Sequence, residues 1–269
     1  MCNMNFSMFL RRLEIFFTKL IFKERPKISL LIPFSSGNKE RKENLKWLLK
    51  YYKHVLPEAE IVIGKSRSKV FCKNEALNHA ARRSRGRVLV VLDSDAYLKG
   101  TIINKCADKI LEHLDNHLWY VPYRHLYRLT KECTKEIVES SPHSPIKISS
   151  PPSAQCVERH GHTSKYGHRY GAMCMMFPRE AYELLGGFDE RFKGWGGEDV
   201  ALLRALDTLY GRHKTSNNDI LHLWHPYIGA NYKNRMWEGQ ENGGANSSLA
   251  MAYHRAKGSP EKMRKLIKQ

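Results

Sequence analysis

The chain lacks any run of about 20 uncharged apolar residues, the length a helix needs to cross a bilayer. Its nearest approach, Phe6–Phe22, is interrupted by Arg11, Arg12, Glu14 and Lys19, which excludes a spanning helix. The same breaks, with no small-residue cleavage site after them, argue against a secretory signal. Cysteine is sparse and scattered: Cys2, Cys72, Cys106, Cys133, Cys156 and Cys174 contain no Cys-x-x-Cys pair. That excludes a zinc ribbon and a dithiol redox motif, and leads us to expect a reducing, cytoplasmic setting with no structural disulfide. Acidic residues are also few, 27 against 45 Lys and Arg, for a formal charge of +18. Such an excess implies an anionic partner or surface, although the bases are spread along the chain rather than gathered into one block. His-Glu-x-x-His is missing, so a metallopeptidase is excluded, and no helix-turn-helix or zinc-finger spacing is present.

What is present is enough apolar sequence, 42% of 269 residues, to bury a substantial core. Residues 28–34 form a short Ile- and Leu-rich run expected to be a buried strand. In 40–56, Leu45, Leu48, Leu49, Tyr52 and Leu56 recur at helical spacing opposite Lys42, Lys46, Lys50 and Lys53. Strands at 60–63, 87–92, 118–121 and 172–177 and helices at 74–84, 101–116, 179–185 and 198–210 complete the pattern. Alternation of strand and helix predicts an α/β fold with a Rossmann-like, doubly wound, mainly parallel sheet. A long loop is expected at 140–168, where Ser, Pro, His and Gly dominate. The domain expectation is 1–26 as an amphipathic helix, 27–230 as the α/β domain and 231–269 as a polar and basic tail that ends helical. Phe9, Leu13, Phe16, Phe17, Leu20 and Ile21 suit either a helix on an anionic membrane or one packed on its own domain.

Three constellations carry chemistry. Asp93-Ser94-Asp95 follows the 87–92 strand, at the sheet edge where α/β folds bind ligands. Two carboxylates one residue apart suit a hard divalent cation bridging to a diphosphate, while a plain turn also favours Asp. The second is Gly186-Gly187-Phe188-Asp189-Glu190-Arg191-Phe192 followed by Gly194-Trp195-Gly196-Gly197-Glu198-Asp199. Here Glu198 and Asp199 open a helix, as general base or as an ordinary acidic helix start. The third is His222-Leu223-Trp224-His225-Pro226, whose imidazoles are candidate ligands for a cation begun on Asp95.

In this order PF, FCKNEALN, DSD, GGFDERFKGWGGED and HLWHP resemble the GT-A fold glycosyltransferases. They are most similar to the group joining family-2-type enzymes to the β-1,4-galactosyltransferase and chondroitin-synthase C-terminal domain. The resemblance spans about 28–228 and implies a nucleotide-sugar donor, a UDP-sugar before others, and Mn2+ or Mg2+. It also implies that Pro33 and Phe34 line the base pocket, with Phe71 and Lys73 near base and phosphates. Asp93 would meet ribose or metal, Asp95 would be the principal metal ligand, and His225, with His222, would complete the coordination. Trp195, Gly197 and Glu198 would shape the donor and acceptor positions, and Asp199 would be the catalytic base of an inverting transfer. The sequence departs from that group at Ser35, where the galactosyltransferases carry Arg, and at Val200, where they carry a further acid; this leaves the donor open. For the acceptor, a glycan or lipid-linked sugar is the first expectation. A hydroxylated base in viral DNA is the alternative that the charge favours, and a non-catalytic nucleotide-sugar or nucleic-acid binding module is the third.

Overall fold

The computed structural model describes residues 25–162, 173–194, 196–226, 230–231, 236–237 and 243–268. The amphipathic helix expected within 1–26 falls on 1–24, outside the described residues, and Trp195 is outside them too.

The strands are β1 (Ile28–Pro33), β2 (Glu60–Gly64), β3 (Val88–Leu92), β4 (Ala96–Tyr97), β5 (Tyr120–Val121), β6 (His125–Leu129), β7 (Val157–His162), β8 (Cys174–Pro178), β9 (Lys214–Thr215) and β10 (Asp219–His222). Short β11 (Ala230–Asn231) and β12 (Met236–Trp237) pair with each other and, among the described residues, with no other strand. The helices are α1 (Lys39–Val55), α2 (Lys73–Arg83), α3 (Gly100–Glu112), α4 (Lys131–Glu139), α5 (Arg179–Leu185), α6 (Glu198–Leu209), α7 (Gly243–Ala256) and α8 (Pro260–Ile267).

A six-stranded sheet runs β2-β1-β3-β8-β5-β9. β8 pairs antiparallel with β3 and β5, and the other pairings are parallel. The mainly parallel α/β expectation is met, with one reversed strand. β1 and β3 are buried along their whole length, as expected of central strands without polar alternation. Each large aliphatic side chain buried there is worth about 1.5–3 kcal/mol. α1 starts at Asn38, whose Oδ1 accepts the Arg41 N–H at 2.8 Å, satisfying one orphan donor of the first turn. It buries Leu45, Trp47, Leu48, Tyr51 and Tyr52 and leaves Lys42, Lys46, Lys50 and Lys53 exposed.

A second sheet, β4-β10-β6-β7, has no counterpart in the sequence reading apart from an apolar strand expected from near Ile220, which is β10. β6 and α4 fill 125–139, where the sequence showed nothing, and the expected loop at 140–168 ends in a 3-10 turn (Ala154–Cys156) and β7. β7 is held by pairing with β6, a partner distant in sequence, and local composition carries no sign of that. A second correction concerns cysteine: Cys133 in the first turn of α4 is bridged to Cys156. The bridge removes the cysteine argument for a reducing compartment, because scattered spacing does not reveal which thiols meet in space.

Closing a loop of 23 residues constrains the unfolded chain by about 3 kcal/mol in the chain-entropy account. The Cys133→Ser/Cys156→Ser double variant is expected to lose about 2–4 kcal/mol in urea unfolding. Unchanged stability, with and without reductant, would contradict a bridge that matters to this fold.

Candidate active site

The two sheets meet at Asp93–Tyr97. β3 ends at Leu92 in the first sheet and β4 begins at Ala96 in the second. The turn between them is fixed by its backbone. Asp93 N–H donates to Met173 O at 3.0 Å, Ala96 N–H to Asp93 O at 3.1 Å, and Leu223 N–H to Asp95 O at 2.8 Å. From below, the Tyr52 hydroxyl donates to Ala96 O and accepts from Leu98 N–H, both at 3.0 Å.

Asp95 is 4% exposed and sits among three basic side chains. His225 Nε2 is 3.2 Å and Arg41 Nη2 3.3 Å from its Oδ2, and His222 Nε2 is 3.8 Å from its Oδ1. Burial opposes ionisation of Asp95, but His222, the His225 hydrogen bond and Arg41 outweigh it and hold the carboxyl below its usual range. His222 is pushed down to about 4, by burial first and then by Arg128, His225 and Arg41 against the pull of Asp95. It is therefore a neutral imidazole at neutral pH, the form that binds metals. His225 Nδ1 lies 2.9 Å from Pro226 O; a carbonyl only accepts, so Nδ1 carries the proton and Nε2 points to Asp95. The histidine segment is pinned from both sides. Asn44 Nδ2 donates to Trp224 O at 2.9 Å, Asn38 Nδ2 to Pro226 O at 3.3 Å, and Trp224 N–H to Thr134 Oγ1 at 2.8 Å.

The ligand atoms of Asp95, His222 and His225 all lie within 4.8 Å of one another. One carboxylate and two imidazoles without thiolate fit a divalent cation of the Mn2+ type. Arg41 Nε is buried without a partner among the described residues, so the guanidinium near Asp95 is incompletely satisfied.

Asp93 keeps different company. Lys73 Nζ lies 2.8 Å from Asp93 Oδ1 and 2.8 Å from Asp199 Oδ1. Burial alone would lower the Lys73 pKa, but Asp199, Asp93 and Glu198 raise it well above the ordinary value. Burial, Glu198 and Asp93 push Asp199 up to about 7 even though Lys73 opposes them. Asp93 is raised by burial, with Asp95 and Glu198 adding to that and Lys73 again opposing. Tyr123, buried and accepting the Met173 N–H at 2.9 Å, is near enough to feel both carboxylates.

Local sequence explains this placement. Cys72 caps α2, its sulfur contacting Glu75 N–H at 3.4 Å and Phe192 O at 3.1 Å. Asn74 Nδ2 donates to Asp189 O and Asn78 Nδ2 to Phe188 O, each at 2.8 Å. The FCKNEALN segment thus grips the GGFDERF loop, bringing Lys73 and Asp199 together. At Gly197, φ is +87°, which only glycine adopts freely; it turns the chain into α6. Glu198 Oε2 accepts the Gly196 N–H at 2.9 Å, so its carboxylate is engaged in that turn.

Of the residues singled out in sequence, Asp95, His222 and His225 share one cluster, and Lys73, Asp93, Asp199 and Glu198 share the adjoining one. The expectation of Asp93 as a ligand meets a different pairing, with Lys73. Pro33 ends β1 opposite Gly64. Phe34 lines a shallow cavity of about 320 Å³ with Lys42, Leu45, Lys46, Leu49 and Lys50. Phe71 is half-buried beside Cys72. A further cavity, of about 430 Å³, lies between the Gly186–Lys193 loop and Tyr253 and meets these clusters only at Glu198. Arg41 and Tyr123 were missed by the sequence reading. Nothing marked Arg41 among the bases of α1; its position one turn inside the helix start is the signal that the Asn38 cap supplies.

Residues 154–222 match the family model described as the N-terminal domain of galactosyltransferase. The matched segment holds Asp199 and His222 and falls inside the stretch for which a glycosyltransferase resemblance was read. The chain is similar to the catalytic domain of Drosophila beta1,4-galactosyltransferase 7 in complex with xylobiose, at 14% identity over 74% of this chain and 71% of that one, TM-score 0.41. It is similar to a mannosyltransferase from Pyrobaculum calidifontis in complex with GDP-Man and Mn2+, at 13% identity over 91% and 69%, TM-score 0.45. It is also similar to glucosyl-3-phosphoglycerate synthase from Mycobacterium tuberculosis, in complex with Mn2+, UDP-glucose and phosphoglyceric acid, at 13% identity over 89% and 82%, TM-score 0.46. No curated protein sequence matches the chain.

Between the ordinary value of 3.8 and about 7, the folded chain holds a proton on Asp199 that the unfolded chain has released. The group's contribution to stability therefore falls as pH rises through that window. Asp199→Asn is expected to gain stability relative to the parent on going from pH 4 to pH 7 in urea unfolding. A difference that stays flat with pH would mean that Asp199 carries no displaced proton.

Proposed function

We propose that the chain is an inverting glycosyltransferase that moves a sugar from a nucleotide-sugar donor, a UDP-sugar in the first instance, to a hydroxyl of a carbohydrate acceptor. The single observation that carries this reading is the meeting of Asp95, His222 and His225, from two distant stretches, in one buried cation-binding cluster beside the Lys73–Asp199 pair. Asp95, His222 and His225 would hold Mn2+ or Mg2+. When bound, the cation supplies charge stabilisation to the departing nucleoside diphosphate.

The chain's own groups do the rest. Pro33, Phe34 and Phe71 receive the base, and Lys73 and Arg41 face the phosphates. Gly197 and Glu198 shape the space where sugar and acceptor meet, and the resemblance gives Trp195 the same role. Asp199 takes the acceptor hydroxyl proton while the acceptor oxygen bonds to the anomeric carbon and the bond to the diphosphate oxygen breaks. A base near pH 7 is matched to neutral conditions, and such help is worth ~10²–10⁴ in rate. In the free chain Lys73 bonds to Asp199 and Asp93 together; a donor phosphate drawing Lys73 away would release the base.

The test is a donor panel read by nucleotide release with Mn2+, together with calorimetric UDP binding. Asp95→Ala and His225→Ala are expected to lose Mn2+-dependent UDP binding. Asp199→Asn is expected to keep that binding and lose about 10²-fold or more in kcat. UDP binding indifferent to Mn2+ and to both ligand variants would overturn the proposal.

A further inference from the structure

The register of the second sheet extends the site in one direction. His222 of β10 is opposite Arg128 of β6, and Arg128 is opposite Arg159 of β7. Residues directly opposite on neighbouring strands share a face of the sheet, so both arginines stand on the face from which His222 reaches Asp95. The intervening positions form a separate cluster on the other face, where the Tyr127 and His160 rings stack at 4.4 Å and 6°. The row ends at an irregularity: pairing steps from Arg128–Arg159 to Leu129–Val157, leaving Glu158 as an extra residue. Bulges of this kind re-aim side chains and are over-represented beside active sites.

Arg128 is half-buried, and its charge is felt at His222. Among the described residues it forms no ion pair, and Asp95, the carboxylate that His222 faces, is already held by Arg41, His222 and His225. Arg159, next in the row, is exposed. A half-buried guanidinium without a carboxylate is costly unless an anion comes to it, and a guanidinium fork matches a carboxylate, sulfate or phosphate group.

The position of the row distinguishes the two substrates. β4 lies on one side of β10 and β6 on the other. Arg41 and Lys73, the groups that face the donor phosphates in our reading, reach the Asp93–Asp95 turn between β3 and β4 from α1 and α2. Arg128 and Arg159 lead away from them.

We propose that Arg128 and Arg159 form a subsite for an anionic group on the acceptor, so that the acceptor of this chain is an acidic sugar or glycan. This rests on the glycosyltransferase reading of the neighbouring site. The excess of +18 charges accords with an acidic acceptor but does not locate it; the sheet register does.

The test uses the whole chain with Mn2+ and UDP, and calorimetry with four probes: p-nitrophenyl β-glucoside, its 6-phosphate, its 6-sulfate, and p-nitrophenyl β-glucuronide. One or more charged probes should bind about 10- to 100-fold tighter than the neutral glucoside, the range of a hydrogen bond to a charged group. Arg128→Gln should erase that preference, Arg159→Gln should reduce it, and Arg128→Lys should keep part of it. UDP affinity with Mn2+ should stay unchanged in all three variants.

Equal binding of all four probes by the parent chain overturns the subsite. So does loss of UDP affinity in Arg128→Gln, which would assign the row to the donor, or an equal loss for neutral and charged probes, which would mark a structural role. Arg128-dependent binding of a DNA duplex with a steep salt slope and no preference among the glycosides also overturns it, in favour of a nucleic-acid backbone. Failure of UDP to bind the parent chain with Mn2+ would instead sink the glycosyltransferase reading, and that result is read separately.

Discussion

The architecture depends on the burial of one carboxylate. An ion removed from water costs several kcal/mol unless charges and hydrogen bonds replace its hydration. Asp95, at 4% exposure, gains those partners only because α1 delivers Arg41, β10 delivers His222 and the segment after β10 delivers His225. Its own carbonyl accepts the Leu223 N–H, so the backbone that presents the carboxylate also holds the strand that presents the histidines. The geometry of the candidate cation cluster is thereby built from main-chain bonds as much as from side chains.

Asp93 and Asp95 sit one residue apart, yet they serve different partners. Asp93 turns to Lys73 and through it to Asp199, whereas Asp95 turns to the imidazoles. A single tripeptide therefore feeds a cluster in which two imidazoles and a guanidinium surround one carboxylate, and an adjoining one in which Asp93 and Asp199 share one ammonium with Glu198 nearby. Burial first, and then that excess of carboxylates, keeps a proton on Asp199 to higher pH, since both disfavour the charged form.

The strands and helices that sequence disclosed were those with continuous patterns. The uninterrupted apolar runs of β1 and β3 and the lysine-opposed stripe of α1 survive within one or two residues. α5 was read to its ends because Pro178 precedes it and Gly186, at φ +71°, stops it. β6, α4 and β7 were invisible because they are short, their charged and apolar residues are mixed, and their stability comes from pairing across the chain and from the Cys133–Cys156 bridge. The cation-binding residues were legible as types in a suggestive order. Their convergence was not, since no local pattern says that residue 95 will lie 3.2 Å from residue 225. Arg41 was hidden among the other bases of its helix for the same reason.

The turn from β3 to β4 passes the chain from one sheet to the other in three residues, Asp93, Ser94 and Asp95. Asp95 stands at the end of that crossing, where β4 is already paired with β10 and the Leu223 N–H holds the Asp95 carbonyl, so its spacing from His222 is set by strand pairing inside the second sheet. A substitution that loosened the β4–β10 pairing would spread the carboxylate from the imidazoles with all three residues unchanged.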